Sequence, residues 1–398
     1  MPPIKKQQDE TQRAHDIVVF GATGFAGRLT AEYLARNAPT GCRWALAGRN
    51  SGKLEEVRSH LAMIDPTLAD LPLLHADSTD AGSLAEVARA TRVVITTVGP
   101  YLLHGEPLVA ACTAEGTDYV DLTGEPEFVD RMYLAHHDAA VASGARIVHA
   151  CGFDSIPHDL GARWTVLQLP EGEPVTVRGV VRAGAKFSGG TFHSAMTAFS
   201  RASQMRSAMQ LRRKKEGQPA GGRKSRAVSG RPHRDRELGY WLLPLPTIDP
   251  FVVARSGAVL ERYGPDFRYS HYAGLKTLRY LVGGVAGAGG MLLAAQVPPV
   301  RKALLNRVKQ GEGPSEARRE KSWFTVDFVG ESAGTTIHTR VSGGDPGYTE
   351  TAKMLAEAAL CLAFDDNPTT SGQVTTAVAM GEHLTQRLID AGIAFDVR

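Results

Sequence analysis

From Asp16 to Cys151 the chain alternates short apolar runs with amphipathic stretches of helix length. The runs are IVVFGA, RWALAG, PLLHAD, RVVITTVG, DYVDLTG and ARIVHACG. The stretches between them include Leu29 to Arg36, Gly52 to Leu61, Ala81 to Ala90, Pro107 to Glu115 and Glu127 to Ser143. Apolar runs without polar alternation are what strands covered on both faces look like. Six of them separated by helices predict an α/β fold: a Rossmann-type, doubly wound parallel sheet over residues 16–155.

After GFDSIPHDLG the pattern changes. Strand-like PVTVRGVVRA, WFTVDFVGES and TTIHTRVSGG mix with helical pieces, and the last two read as a hairpin turning at Ala333–Gly334. Residues 156–345 are therefore expected to form a second, α+β substrate domain. The closing part, 346–398, reads as helices returning to the first domain. The opening fifteen residues are polar, lack the apolar core of a secretory signal, and are expected to be a disordered lead.

Two segments of the second half depart from the background. Residues 201–236 hold twelve Lys and Arg, with Arg212, Arg213, Lys214 and Lys215 consecutive, against Glu216 and Asp235. Rich also in Gly, Pro and Ser, they read as a basic loop, either simply solvated or a dock for anionic lipid, a carrier protein or a cofactor phosphate. Residues 280–300 carry no charge and are flanked by Lys276, Arg279, Arg301 and Lys302. Their length permits a membrane span. Five glycines and two prolines favour a buried helix or the wall of an apolar pocket instead.

Composition narrows the class. A 398-residue chain with 43% hydrophobic and 22% charged residues suits two or three globular domains. A net charge of +3 gives no global argument for nucleic acid. Cys42, Cys112, Cys151 and Cys361 form no CxxC pair and no metal-like cluster, which fits a reducing cytoplasm and no metal. GxSxG, GxxxxGK[ST] and HExxH are absent from the sequence. The His136–His137 pair has no acidic partners at metal spacing and reads as a surface face.

The chemistry starts at GATGFAG, which leaves the first strand and opens a helix. Gly21 permits a tight turn, Gly24 close approach to a pyrophosphate, and Gly27 packing of helix on sheet. Ala22, Thr23, Phe25 and Ala26 complete the turn, and the helix N-terminus favours an anion. An NAD site carries Asp or Glu at the end of the second strand; here Ala45 to Leu54 has none. Arg49 stands there, with Asn50 and Lys53 beside it. A guanidinium binds a 2′-phosphate that a carboxylate would repel, so the expected cofactor is NADP. Asp77, after the third strand, is placed near the adenine, and Val98, Gly99 and Pro100, after the fourth, near the nicotinamide.

GATGFAGRLTAEYLA, ALAGRN, TTVGPY, GTDYVDLTGE and ACGFDSIPHDLG, in this order, resemble the saccharopine dehydrogenase-like oxidoreductases, and within them the mycobacterial trans-acting enoyl reductases. The resemblance covers nearly the whole chain, weakly in 201–250; near the end, Thr376 stands where the family has proline. It implies an NADP-binding Rossmann domain with a substrate domain. It also implies reduction of the C=C of an enoyl intermediate from a polyketide synthase that lacks its own reductase. The partner it implies is an acyl or polyketide intermediate; the basic loop and the uncharged 280–300 segment add two open readings, a carrier protein holding that intermediate and peripheral membrane contact. Two other readings remain: a saccharopine-type amino-acid dehydrogenase, and a non-catalytic membrane- or lipid-associated nucleotide-binding protein.

Enoyl reduction needs a side-chain donor or a water chain that stabilises and protonates the enolate after hydride delivery, and a side-chain acid is not strictly required. Tyr101 and His104, after the fourth strand, are first candidates. Asp154, Ser155 and His158, after the sixth, are second. Asp154 and Ser155 have a competing structural reading as helix caps. His158 and His193 have one as ordinary polar residues.

Overall fold

The structure, a computed structural model, describes residues 13–185, 189–307 and 313–398. It divides into two compact units. The first takes residues up to Phe153 and Tyr348–Leu388; the second takes nearly all of the stretch between and Ile389–Arg398.

The first unit is a seven-stranded parallel sheet. Its strands β1 (His15–Phe20), β2 (Trp44–Gly48), β3 (Leu73–His75), β4 (Thr91–Thr96), β5 (Asp118–Asp121) and β6 (Arg146–Val148) coincide with the six apolar runs. Their order across the sheet, 6-5-4-1-2-3, is the Rossmann order. Helices Phe25–Asn37, Ser51–Ile64, Ala81–Ala90, Glu106–Glu115 and Pro126–Ser143 connect them. Both faces are covered, so β2 and β5 are buried at every position.

A seventh strand, Gly372–Val374, pairs beside β6. It is three residues long and begins with Gly372 at φ 86°, too short to show a period in the sequence. The helix before it, Thr349–Phe364, packs on β4, β5 and the Phe25–Asn37 helix. Tyr33 donates to Glu357 Oε1 at 2.7 Å, and Arg387 holds Glu357 at 3.1 Å and Asp365 through two bonds. Thr376, at the position of the expected proline, opens the short Thr376–Ala379 helix behind the N-cap Thr375, which accepts from Val378 N.

The second unit holds an eight-stranded mixed sheet. Its main path runs Ala394–Val397, Thr335–Gly343, Phe324–Ser332, Val175–Ala183, Asp266–Leu275, Trp241–Pro244 and His233–Arg234, with Lys224–Ala227 pairing Asp266–Leu275. The expected hairpin is present, and both of its turn residues, Ala333 and Gly334, have positive φ (48° and 79°). That pair matches the right-handed twist of the strands.

Four expectations need correction. The lead is shorter than fifteen residues: His15 begins β1, and Arg13 donates to Ala88 O at 3.0 Å and Glu115 O at 2.5 Å, while residues 1–12 lie outside the described part. The basic loop 201–236 contains a helix, Ala202–Glu216, and two strands, because its Gly and Pro residues all fall after residue 216. The apolar 280–300 run is helical but not buried: on Leu278–Gln296 only Leu281 and Ala295 are covered. The last residues, 394–397, do not return as helix to the first unit; they pair with Thr335–Gly343 in the second sheet.

The hairpin generates a stability prediction. Ala333 sits where a β-carbon is disfavoured by about 1 kcal/mol. Ala333→Asn, which tolerates this conformation, should raise the stability of the second unit by about 0.5–1 kcal/mol, read as a higher urea midpoint for its transition.

Candidate functional site

The glycine turn is built without spare space. Gly21 has φ +94°, and a β-carbon on it would lie 2.8 Å from Thr97 Oγ1 and from a Val98 methyl. A β-carbon on Gly27 would lie 2.2 Å from Gly21 O. The Thr97 hydroxyl, just past β4, donates to Gly21 O at 3.1 Å and pins the turn to the neighbouring strand end. Ala22 is buried beneath, whereas Thr23 and Gly24 are exposed. The Phe25–Asn37 helix starts at Gly24, and no side chain caps it. Its positive end, beside Phe25 and Ala26, is presented in the open, so the cradle fits the pyrophosphate of a dinucleotide.

The second strand ends in exposed Arg49. Asn50 turns out to be a cap: its Oδ1 accepts from Lys53 N at 2.9 Å, so this oxygen is engaged within the chain. Asp77 folds onto Thr79, accepting from its N at 2.9 Å and its hydroxyl at 2.8 Å. Those two bonds, and more weakly the charge of Arg49, draw its carboxyl below the usual range.

Beyond β4, Val98, Gly99 and Pro100 lead into the short Tyr101–His104 helix. The Glu125 carboxylate, itself buried, accepts from Tyr101 N at 3.2 Å and Leu102 N at 2.9 Å. The Tyr101 hydroxyl donates to Thr96 O and accepts from Leu122 N, both at 3.1 Å. Through these two bonds Tyr101 ties β4 to the segment after β5. His104 is half-buried in the last turn of that helix.

The β5 and β6 ends are joined by Asp121, fully buried. It accepts from Tyr119 Oη at 2.9 Å, His149 Nδ1 at 2.6 Å, Thr123 N at 3.0 Å and Ala150 N at 2.9 Å. Thr97, Asp121 and Glu125 were missed as site-building residues in the sequence, although DLTGE is among its distinctive strings. A buried carboxylate accepting backbone N–H groups leaves no periodic signal.

In the second unit, Asp154 and Ser155 precede the Ile156–Val166 helix, and Ser155 gives it no side-chain cap. The capping reading therefore fails for Ser155, whose hydroxyl lies on Asp154 O and 3.4 Å from Asp249 Oδ1. Asp249 Oδ1 is 3.1 Å from His158 Nδ1, and its Oδ2 is 3.6 Å from His271 Nε2. Tyr269 Oη lies 3.1 Å from His271 Nδ1. Among the described residues, His158, Asp249 and His271 are a buried donor set with cation-like spacing. Burial pushes His271 down to about 3, so it is neutral. Burial alone would raise Asp249, but His158, His271 and Thr247 hold its carboxyl below the usual range. Asp154 moves the other way: burial, then the negative charge of Asp249, push its carboxyl up to about 7 against the opposing pull of His158. It is protonated for much of its population near neutrality. Asp249 and His271, from distant parts of the sequence, could not be tied to Asp154 beforehand.

Comparison with known proteins fits this geometry. Residues 17–148 match the saccharopine dehydrogenase NADP binding domain family. A putative trans-acting enoyl reductase of Mycobacterium tuberculosis is 39% identical over 96% of this chain and 97% of its own length. A trans-acting enoyl reductase of Mycobacterium leprae is 34% identical over the same shares. The apo saccharopine dehydrogenase (L-Glu forming) of Saccharomyces cerevisiae superposes over 96% of this chain and 100% of its own with a TM-score of 0.57. At 12% identity that match speaks for the fold alone. Near-complete coverage at this identity, on a nicotinamide-dinucleotide cradle, means that the chain belongs to the family of trans-acting enoyl reductases, oxidoreductases with a saccharopine dehydrogenase-type NADP-binding domain.

Proposed function

We propose that this protein uses NADPH to reduce the carbon–carbon double bond of an enoyl thioester, a lipid or polyketide intermediate handed over by a separate synthase. The observation that supports the reading is a glycine turn shaped for a dinucleotide, in a chain 37–39% identical to trans-acting enoyl reductases over 96% of its length. The names of the relatives supply the substrate class.

Gly21, Gly24 and Gly27 would let the backbone approach the pyrophosphate of NADPH, and Arg49 would take its 2′-phosphate with Lys53 adding charge. The chemistry that the cofactor would supply there is a hydride for the β-carbon of the substrate. Pinned by Thr97 and Glu125, the β4 end holds Val98 to Pro100 in place. Asp154 gives its proton to the α-carbon of the enolate. Burial, and after it the Asp249 charge, keep that proton on Asp154 near neutral pH, where an ordinary Asp would have lost it.

Carrier recognition is assigned to the basic helix Ala202–Glu216. Arg213, Lys214 and Lys215 are exposed there, whereas Arg212 is buried and paired with Glu216 at 2.6 Å. The docking charge is therefore three residues, not the run of four.

Arg49→Ala should weaken NADPH about 10- to 100-fold, the loss of one charge-assisted contact, and leave NADH unchanged, as read by fluorescence titration. Equal loss for both nucleotides would reject Arg49 as the phosphate ligand. Asp154 is an acid below its pKa, so kcat of the wild type should fall as pH rises through about 7. Asp154→Asn should lower kcat about 10²- to 10⁴-fold and remove that limb from the pH profile. Neutralising Arg213, Lys214 and Lys215 should raise KM for carrier-bound substrate and not for the free thioester; an equal KM for both would end the docking assignment.

A further inference from the structure

The helix Leu278–Gln296 stands out in the second unit. It is apolar almost throughout, yet it faces outward. Tyr280 is 67% exposed, Val282 62% and Leu293 71%, and Leu278, Val285 and Leu292 are also exposed. The helix is tied down along one narrow stripe. Leu281 and Ala295 are buried, and a β-carbon on Gly284 would lie 2.9 Å from a Leu243 methyl. At its end, Gln296 donates to Phe199 O at 2.7 Å. By contrast, β-carbons on Gly283, Gly287, Gly289 and Gly290 would meet nothing within 4 Å. These glycines serve no close packing among the described residues. A soluble chain does not keep a continuous apolar helix face in water without a use for it.

Charge says what covers it. No acidic residue occurs between Asp266 and Glu312. Lys276 and Arg279 stand at one end, and Arg301, Lys302 and Arg307 follow the other in the Pro298–Arg307 helix. All are described, and Lys276, Arg279, Lys302 and Arg307 are exposed. An apolar band with cations at both ends and no acid matches an anionic lipid surface: acyl boundary for the band, headgroups for the ends. A second copy of this chain, pairing the same face, would bring like charges together. An acidic carrier protein would satisfy the cations but leave the uncharged turns uncovered.

We propose that the Leu278–Gln296 helix is a docking surface that lies in the interface of an anionic membrane. At 1.5 Å per residue the helix is roughly 28 Å long, near the thickness of a hydrocarbon core. It does not cross, because the stripe from Leu281 to Ala295 stays against the protein. It rests in the plane of the surface with its outer face among the acyl chains. This assignment does not depend on which thioester is reduced.

The test is flotation of the full-length protein with phosphatidylcholine vesicles, with and without phosphatidylglycerol. The wild type should float with the anionic vesicles, less so as salt rises, and not with phosphatidylcholine alone. Leu292→Glu with Leu293→Glu should reduce flotation at least about tenfold, and Lys276→Gln, Arg279→Gln and Lys302→Gln about fivefold each. NADPH binding and an unchanged melting curve confirm that each variant is folded. Failure of the wild type to float, equal flotation on neutral vesicles, or undiminished flotation of the glutamate variant overturns the proposal. So does a vesicle-free dimer that the glutamate variant converts to monomer, since self-association would then be what covers the helix.

Discussion

Four donors converging on the buried carboxylate of Asp121 are the constraint on which the nucleotide-side architecture rests. Burying an ionised carboxyl costs several kcal/mol unless every lone pair is answered. Here the answers come from β5, from the turn that follows it and from the end of β6, so the charge is tolerated only when those strand ends are side by side. Cys151 N adds a bond to the Asp121 carbonyl at 2.7 Å. Burial and the Asp121 charge keep the Tyr119 hydroxyl protonated, so it always donates. From this anchor the chain leaves in two directions. Through Leu122 and Glu125 it fixes Tyr101 and the end of β4; through Ala150 it leads toward Asp154.

The two carboxylates along this route do different work for one physical reason. Glu125 accepts from the main-chain N–H groups of Tyr101 and Leu102, and it serves as a clamp. Asp154 is shifted by burial and then by another negative charge, both of which favour its neutral form, the state that the proposed proton donor needs. Neighbourhood, not residue type, separates structural from chemical carboxylates here. The same distinction applies to Tyr101. It stands where a proton donor would be sought, but both sides of its hydroxyl bond the backbone.

Much of the first unit was legible because parallel strands covered on both faces read as apolar runs; β1, β2 and β4 show this, whereas β3, at the sheet edge, is partly exposed. The seventh, Gly372–Val374, escapes because three edge residues carry no period. Ala394–Val397 was hidden for a different cause: its partner lies some fifty residues earlier in a separate sheet, and pairing at that distance leaves no local trace. The glycine turn and Arg49 were readable from strand-end position. Asp249 and His271 were not, because what joins them to Asp154 is folding rather than spacing. The Leu278–Gln296 helix misled for a physical reason too: a helix apolar on all sides usually means burial, and hydropathy does not tell protein from lipid as the covering phase.

The two faces of that helix also answer to different rules of change as copies of this chain diverge. On the inner stripe, a side chain at Gly284 would have to displace the tip of Leu243, and Leu281 and Ala295 fill enclosed space. Those positions are held by shape. The outer positions are about half exposed or more, so Leu, Val, Met and Ala can exchange there at little cost, while under the proposed membrane contact a carboxylate would be disfavoured. Drift should therefore be fast in letters and slow in oiliness along one side of the helix, and slow in both along the other.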